Sequence, residues 1–446
     1  MNEALVFFAF LKYCLGYKGN MSRVIAGMNW QELYSFASKQ ALLGLCFEGI
    51  ERLGKEYPEE LKRNPIEREL LMTWMGVSQQ IRRQNMKVNA VASKLFSMLR
   101  EDGFRCCILK GQGNALMYPN PYSRTPGDID VWVNASRERI MGYASKKFEL
   151  GDDIRLQHLE TSLDGVPVEL HFFPCSMNNP IYHARLQKWF KRNADLQCSN
   201  VVSLPDGIGE IAIPTTAFNV VYQLTHLYHH FFDEGIGMRQ IIDYYYVVNN
   251  DLSNHPVPLS KEGSTFSPSP SSSGSGDVTA PSRCSEPLRS KVGGPSKVSP
   301  DCAGWDRRDD IGDIASDASV SSAFTTDSSA STALDVVQRE LKYLGLWKFA
   351  GAVMYVLKEV LGLAEDKMIV PADEKRGRLL LAEILDGGNF GRHFTKYAGF
   401  THQSMGKKYF LKIWRNMHFV RYYPAEAFCE PLFRTWHFFW RMKNKK

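Results

Sequence analysis

The sequence predicts an α+β protein: a small mixed β-sheet core flanked by N-terminal and C-terminal helical segments, interrupted late by a long disordered insertion. Three observations carry that expectation. Apolar residues recur at three- and four-residue spacing through residues 1–102, which is the helical period. Short runs rich in β-branched and aromatic residues take over from residue 103. Residues 252–335 are crowded with Ser, Pro, Gly and Asp and hold hardly any large apolar side chain, too little to offset the entropy of ordering. At 446 residues the chain exceeds one ordinary core, so several domains or one domain with a large insertion are expected. With 44% hydrophobic and 12% aromatic residues, disorder throughout is excluded.

The first element reads as an amphipathic helix in MNEALVFFAFLKYCLGY, where Lys12 interrupts the apolar run and neither a basic leader nor a small-residue cleavage site is seen. Residues 30–51 and 85–100 read as further helices, and Gly103 ends the last of them. Strands are expected over residues 105–109, 128–133, 155–163 and 166–173. The last two flank Asp164-Gly165, a two-residue hairpin signal because both turn positions need positive φ. A short helix near residues 112–118 and another over 136–148, opened by Ser136 as a cap, give the order β-α-β-α-β-β. The helical period returns from Thr215 to about Asn250 and again from about Leu334. The expected boundaries are thus 1–102 for a helical lead-in, 103–214 for the mixed core, 215–251 for the first helical segment of a C-terminal domain, 252–335 for the insertion, and 336–446 for the remaining helices. Within the insertion, SKVSP and TTDSSAS resemble modification sites only as any Ser-rich tract does, and a tether is the expectation.

Nine cysteines without a CxxC pair or regular spacing point to a reducing cytoplasm, with Cys106 and Cys107 read as strand residues. No run reaches the roughly 18 uncharged apolar residues of a spanning helix. The net charge of +6 is uneven: residues 406–446 carry ten Lys/Arg against Glu426 and Glu430. In that tail YFLKIW, FVRYY and RTWHFFWRMKNKK mix aromatics with cations, which suits a peripheral membrane surface or nucleic acid. Aromatics packed under a terminal helix with snorkelling cations give the same pattern, and packing is the favoured expectation.

Chemistry concentrates in LKGQGNALMYPNPYSRTPGDIDVWV and, later, VPVELHF. Along a strand, Asp128, Asp130 and Trp132 share one face while Ile129, Val131 and Val133 take the other. A second strand repeats the design, with Val168, Leu170 and Phe172 inward and Glu169 and His171 outward, so a neighbouring position brings Glu169 beside the aspartates. Three clustered carboxylates need cations, and hard oxygen ligands suit Mg²⁺. Two such ions about 3.5–4 Å apart bind both the attacking and the leaving oxygen of a phosphoryl displacement. Lys110-Gly111, at a strand-to-helix turn, would receive the phosphates, with Lys110 and Arg124 as counter-charges. His226 and His230, one helical turn apart, read as a polar stripe rather than metal ligands. Arg239 and Asp243, also one turn apart, read either as an intrahelical ion pair or as residues facing a ligand.

The run Lys110-Gly111, Tyr118-Pro119, Arg124, Asp128-Ile129-Asp130 and Val168-Glu169-Leu170-His171 resembles an uncharacterised bacterial nucleotidyltransferase family of the DNA polymerase β superfamily, related to kanamycin and minimal nucleotidyltransferases. His226, Gly237-Met238-Arg239-Gln240 with Asp243, and Gly387-Gly388-Asn389-Phe390-Gly391 extend the resemblance over most of the chain outside the insertion. It implies transfer of a nucleoside monophosphate, AMP from ATP or its counterpart from another nucleoside triphosphate, to a hydroxyl of an unknown small molecule, protein or RNA. It also implies that Asp128 and Asp130 hold two Mg²⁺, that Glu169 completes the site of the ion activating the acceptor, and that Lys110, Gly111, Arg124, His171 and Arg239 surround the nucleotide. In the wider superfamily a Gly-Ser pair precedes the Asp-x-Asp strand; here Lys110-Gly111 stands in its place, at a longer distance from Asp128. That departure leaves open a catalytically inactive nucleotide- or partner-binding protein of the same fold, and the basic tail leaves open a nucleic-acid end-modifying enzyme.

Overall fold

The computed structural model describes residues 3–250, 332–394 and 405–444. The chain divides into a unit of residues 1–258 and 331–446 and a unit of residues 259–330, and the second lies outside the described residues. So does the expected insertion, apart from its last four positions. There Thr332 caps a helix that already begins at Ala333, its hydroxyl accepting from the Asp335 amide.

The lead-in is helical as expected: α1 (Glu3–Cys14), α2 (Ser22–Ala26), α3 (Trp30–Lys39), α4 (Leu43–Glu56), α5 (Pro58–Arg63) and α6 (Arg68–Glu101). The helix expected over 30–51 is two, broken where Ala41 adopts φ 57. Gly103 at φ 78 closes α6, with the Phe104 amide donating back to the Leu99 carbonyl. The core follows as β1 (Cys106–Leu109), α7 (Gly111–Ala115), β2 (Ile129–Val133), α8 (Arg137–Lys147), β3 (Leu150–Ile154), β4 (His158–Leu163) and β5 (Val166–His171). β3 is an added strand, giving a five-stranded mixed sheet of order β1-β2-β5-β4-β3 in which only β2 and β5 run parallel. The hairpin signal holds: Asp164 and Gly165 sit at φ 50 and 72 between β4 and β5. Next come α9 (Pro180–Ser199), the two-stranded ribbon β6 (Val201–Ser203) with β7 (Glu210–Ala212), α10 (Thr216–Asp233), α11 (Met238–Asn249), α12 (Ala333–Tyr343), α13 (Trp347–Leu361), α14 (Glu374–Gly387), α15 (Met405–Met417) and α16 (Pro424–Asn444). Among the described residues no helix is long and apolar enough to cross a membrane.

Strand alternation splits the core in two. Ile108, Ile129, Val131, Val168 and Leu170 pack with Val88, Leu95 and Leu99 of α6 and Ile140 of α8. Cys107, Leu109 and Trp132 face the other way, into the helical core of α9, α10 and α13. On that second face the Trp132 ring lies 6.0 Å from Phe190 and 6.1 Å from Phe218. α10 then continues as a ladder one turn apart: Phe218, Tyr222, His226, His230. Its rings change from phenyl to imidazole along the helix, and His226 is the rung that meets the Lys110 ammonium beside Asp130.

The basic tail packs only on one side. Phe419 and Tyr423 are buried against Phe231 and Phe349, and the buried Glu426 carboxylate accepts from the Asn178 and Asn179 amides. Phe410 and Trp414 of α15 and Phe428, Leu432, Trp436 and Phe439 of α16 are exposed, so packing accounts for the inner face alone.

Candidate functional site

Burial of Ile129, Val131 and Val133 in one core turns Asp130 and Trp132 to the opposite face, and burial of Val168 and Leu170 does the same for Glu169 and His171. Parallel pairing then sets the register Asp130 to Glu169 and Trp132 to His171. Asp130 and Glu169 are therefore neighbours, and Asp128 sits immediately before β2 with solvent contact. The charge of Asp130, then desolvation and the charge of Glu169, push the Asp128 carboxyl up to about 6.

Two protein cations already meet this cluster. The Lys110 ammonium lies 3.0 Å from Asp130 Oδ1 and donates to His226 Nε2 at 2.8 Å. His171 Nε2 lies 3.0 Å from Asp130 Oδ1 and 3.1 Å from Glu169 Oε2. Burial alone would raise Asp130, but Lys110 and the His171 hydrogen bond hold its carboxyl well below the ordinary range. Burial would likewise lower His171, and its bonds to Asp130 and Glu169 instead lift it to about 9. Desolvation and the Lys110 charge keep His226 far below its usual value, so it accepts as a neutral imidazole. Lys110 reaches its position from a turn at φ 50, ψ −130, a strained conformation for a side chain of this kind, and Gly111 follows at φ 37. α7 is tied to α10 by a reciprocal amide pair, Asn114 to Gln223 at 2.9 and 2.6 Å.

The structure adds His158, which the sequence reading did not single out. It pairs with His171 across β4 and β5, is 3% exposed, and places Nδ1 3.2 Å from Glu169 Oε2. A signal was present: five residues outward from Leu163 and Val166, the pair flanking the Asp164-Gly165 turn, land on His158 and His171. Desolvation and the neighbouring His171 charge lower His158 to about 3.

Arg124 and Asp243 meet, but Arg239 and Asp243 do not form the intrahelical pair. Arg124 donates Nε and Nη2 to the two Asp243 oxygens at 2.8 Å each, and the Tyr118 hydroxyl donates to Oδ1 at 2.8 Å. The guanidinium of Arg124 is thereby closed on a carboxylate. Arg239 donates only Nη1, to the Thr125 carbonyl at 3.0 Å, leaves Nε unpaired, and lies 5.5 Å from the centre of the Phe390 ring. Burial, then the Arg124 charge, lowers its pKa, as expected for a cation lacking a close anion. Phe390 is held over it by the turn from Gly388 to Gly391; a Cβ on Gly237 would stand 2.7 Å from the Asn389 Cα, which explains glycine at that contact.

Lys110, Arg239, Asp128, Asp130, Asn114 and Phe390 line one cleft. A second cleft against Arg155, Asn178, His229, Asp233 and His437 contains none of the three carboxylates. Residues 26–256 match the model of a family described as "Uncharacterised nucleotidyltransferase". No curated protein matches the chain. Among solved structures it is similar to an antigenic nucleotidyltransferase-like protein from Paracoccidioides brasiliensis, at 16% identity and a TM-score of 0.25, over 36% of this chain and 75% of that one.

Proposed function

The chain belongs to this uncharacterised nucleotidyltransferase family, and from that premise we propose that it transfers a nucleoside monophosphate, AMP from ATP in the first instance, to a hydroxyl acceptor. The observation that carries the reading is the register Asp130 to Glu169, with Asp128 two residues away, beside a cleft lined by Arg239, whose Nε makes no hydrogen bond. The donor set fits divalent cations: three carboxylates, of which Asp130 and Glu169 now draw neutralising charge from Lys110 and His171. Asp128, Asp130 and Glu169 would hold two ions, for which Mg²⁺ is proposed. Such ions, when bound, supply charge neutralisation and Lewis acidity at the reacting phosphorus.

The chain's own residues position and neutralise. Arg239, and Lys110 once it is released from Asp130, would face the triphosphate, while Gly111 allows close approach of the phosphates to the turn. Phe390, stacked beside Arg239, offers a flat apolar surface at the same cleft. Arg124 is assigned to shaping the loop before Asp128, since Asp243 already takes its charge. His171 donates to Asp130 and Glu169 and fixes their orientation. In the transfer, the acceptor oxygen bonds the α-phosphorus as the bond to the bridging oxygen breaks, and pyrophosphate leaves; no covalent enzyme intermediate is needed. The aromatic stripe exposed on α15 and α16 beside the basic excess supports an anionic surface or nucleic acid as a further contact.

The test uses ATP labelled at the α or the γ phosphate with cell extract as the source of acceptor. Label from the α position should move to an acceptor and label from the γ position should leave as pyrophosphate; γ-label on the acceptor would refute nucleotidyl transfer. A second reading, a nucleotide-binding protein without turnover, is favoured by the Lys110 ammonium lying on Asp130 as a built-in cation. Stabilisation by ATP with Mg²⁺ but no pyrophosphate release would select it.

A further inference from the structure

The two ends of the carboxylate cluster differ in donor chemistry. Around Asp128 the cleft offers oxygen donors and cations, as a magnesium-bound triphosphate requires. Around Glu169 stand the imidazoles of His158 and His171. We infer that the Glu169 end is a mixed nitrogen–oxygen site for a transition-metal dication such as Mn²⁺ or Zn²⁺, with His158, His171 and Glu169 as ligands. The inference rests on the reading of Glu169 as a metal-holding carboxylate.

The spacing supports one shared ion. His171 Nε2 to Glu169 Oε2 is 3.1 Å, and His158 Nδ1 to Glu169 Oε2 is 3.2 Å. Ligands about 2.0–2.2 Å from one ion, at tetrahedral to octahedral angles, stand roughly 2.8–3.6 Å from each other. His158, Glu169 and His171 each offer a ligand atom, all within 4.8 Å of one another.

Satisfaction of polar groups gives an independent argument. His158 is 3% exposed and neither ring nitrogen makes a hydrogen bond; its Nδ1 approaches Glu169 without the angle for one. A buried imidazole left so is costly, by about 1–3 kcal/mol for a typical unsatisfied group, and an ion is one of the few partners that satisfies it. His158 sits there because the hairpin register sets it opposite His171, so both imidazoles stand at one end of the β4–β5 ladder. Nitrogen donors select against Mg²⁺, which prefers oxygen and water, and towards the Mn²⁺ to Zn²⁺ series.

The experiment titrates the chelator-stripped full-length chain with Co²⁺, following visible d–d absorption without nucleotide, and examines the Mn²⁺ form by pulsed EPR for nitrogen coupling. One Co²⁺ should bind, displaced by Zn²⁺ but not by about a hundredfold excess of Mg²⁺. Mn²⁺ should show coupling to ¹⁴N. His158→Asn and His171→Asn should each weaken Co²⁺ by about tenfold or more. If either variant fails to fold, the nitrogen coupling of the wild-type chain decides. Absence of that coupling, or Mg²⁺ competing on equal terms, overturns the inference. α-Label transfer measured alongside separates the two readings. Transfer with oxygen-only coordination overturns this site and leaves the proposed function standing. Nitrogen-coordinated metal without transfer in any metal supports the site and overturns the function.

Discussion

Asp243→Asn strikes the joint on which the loop before Asp128 rests. Arg124 and Asp243 are each 5% exposed, and three hydrogen bonds of 2.8 Å end on the one carboxylate. Removing one member of a buried pair strands the other charge, which costs about 3–5 kcal/mol. The amide keeps an acceptor oxygen for Tyr118 or Arg124, so Asn belongs near the lower figure. Asp243→Ala also strands the Tyr118 hydroxyl, worth about 1 kcal/mol more, and belongs near the upper one. Urea unfolding of the full chain at pH 7 measures both, and a cycle with Tyr118→Phe should show coupling of at least about 0.5 kcal/mol. Acidity gives a second readout. Burial would raise Asp243, but Arg124 holds it below the ordinary carboxylate range. A carboxyl lowered in the folded state contributes stability that is present above its unfolded pKa of about 3.9 and lost as pH falls through the folded value. Wild type should therefore weaken on acidification below about pH 4, and Asp243→Asn should weaken less over that window. A variant within about 0.5 kcal/mol of wild type, with an unchanged acid limb, would refute the reasoning.

Arg239→Met keeps an unbranched apolar stem at a buried position and removes a cation whose Nε makes no hydrogen bond. ATP should bind roughly 10–100-fold more weakly, from about 1.5–3 kcal/mol of charged hydrogen bonding, by calorimetry, while the melting temperature holds or rises. Trp132→Ala removes the ring between Phe190 and Phe218 and should cost about 3–5 kcal/mol in urea unfolding.

What was legible in the sequence was what strand alternation and turn chemistry control. Ile129, Val131 and Val133 against Asp128 and Asp130, repeated by Val168 and Leu170 against Glu169, forecast which faces would meet. Asp164-Gly165 forecast its own hairpin. β3 was not legible because Leu150-Gly151-Asp152-Asp153-Ile154 lacks β-formers at its centre, and the pairing with β4 is what recruits it. β6 and β7 are too short for a period to show. The break at Ala41 carries no glycine or proline to announce it. Within the site, Arg124 and Asp243 could be named but not paired, since 119 residues separate them in the chain and only the docking of α11 joins them. The Lys110 to His226 bond is of the same kind, set by α10 lying across the sheet.

The proposed nucleotide transfer depends on the paired aspartates Asp128 and Asp130. The most direct measurement compares wild type with Asp130→Asn for movement of α-phosphate label from ATP to acceptor, with circular dichroism melts confirming that both are folded. Transfer by the wild type and its loss in the folded variant is the expected result; transfer that survives the substitution would contradict the account.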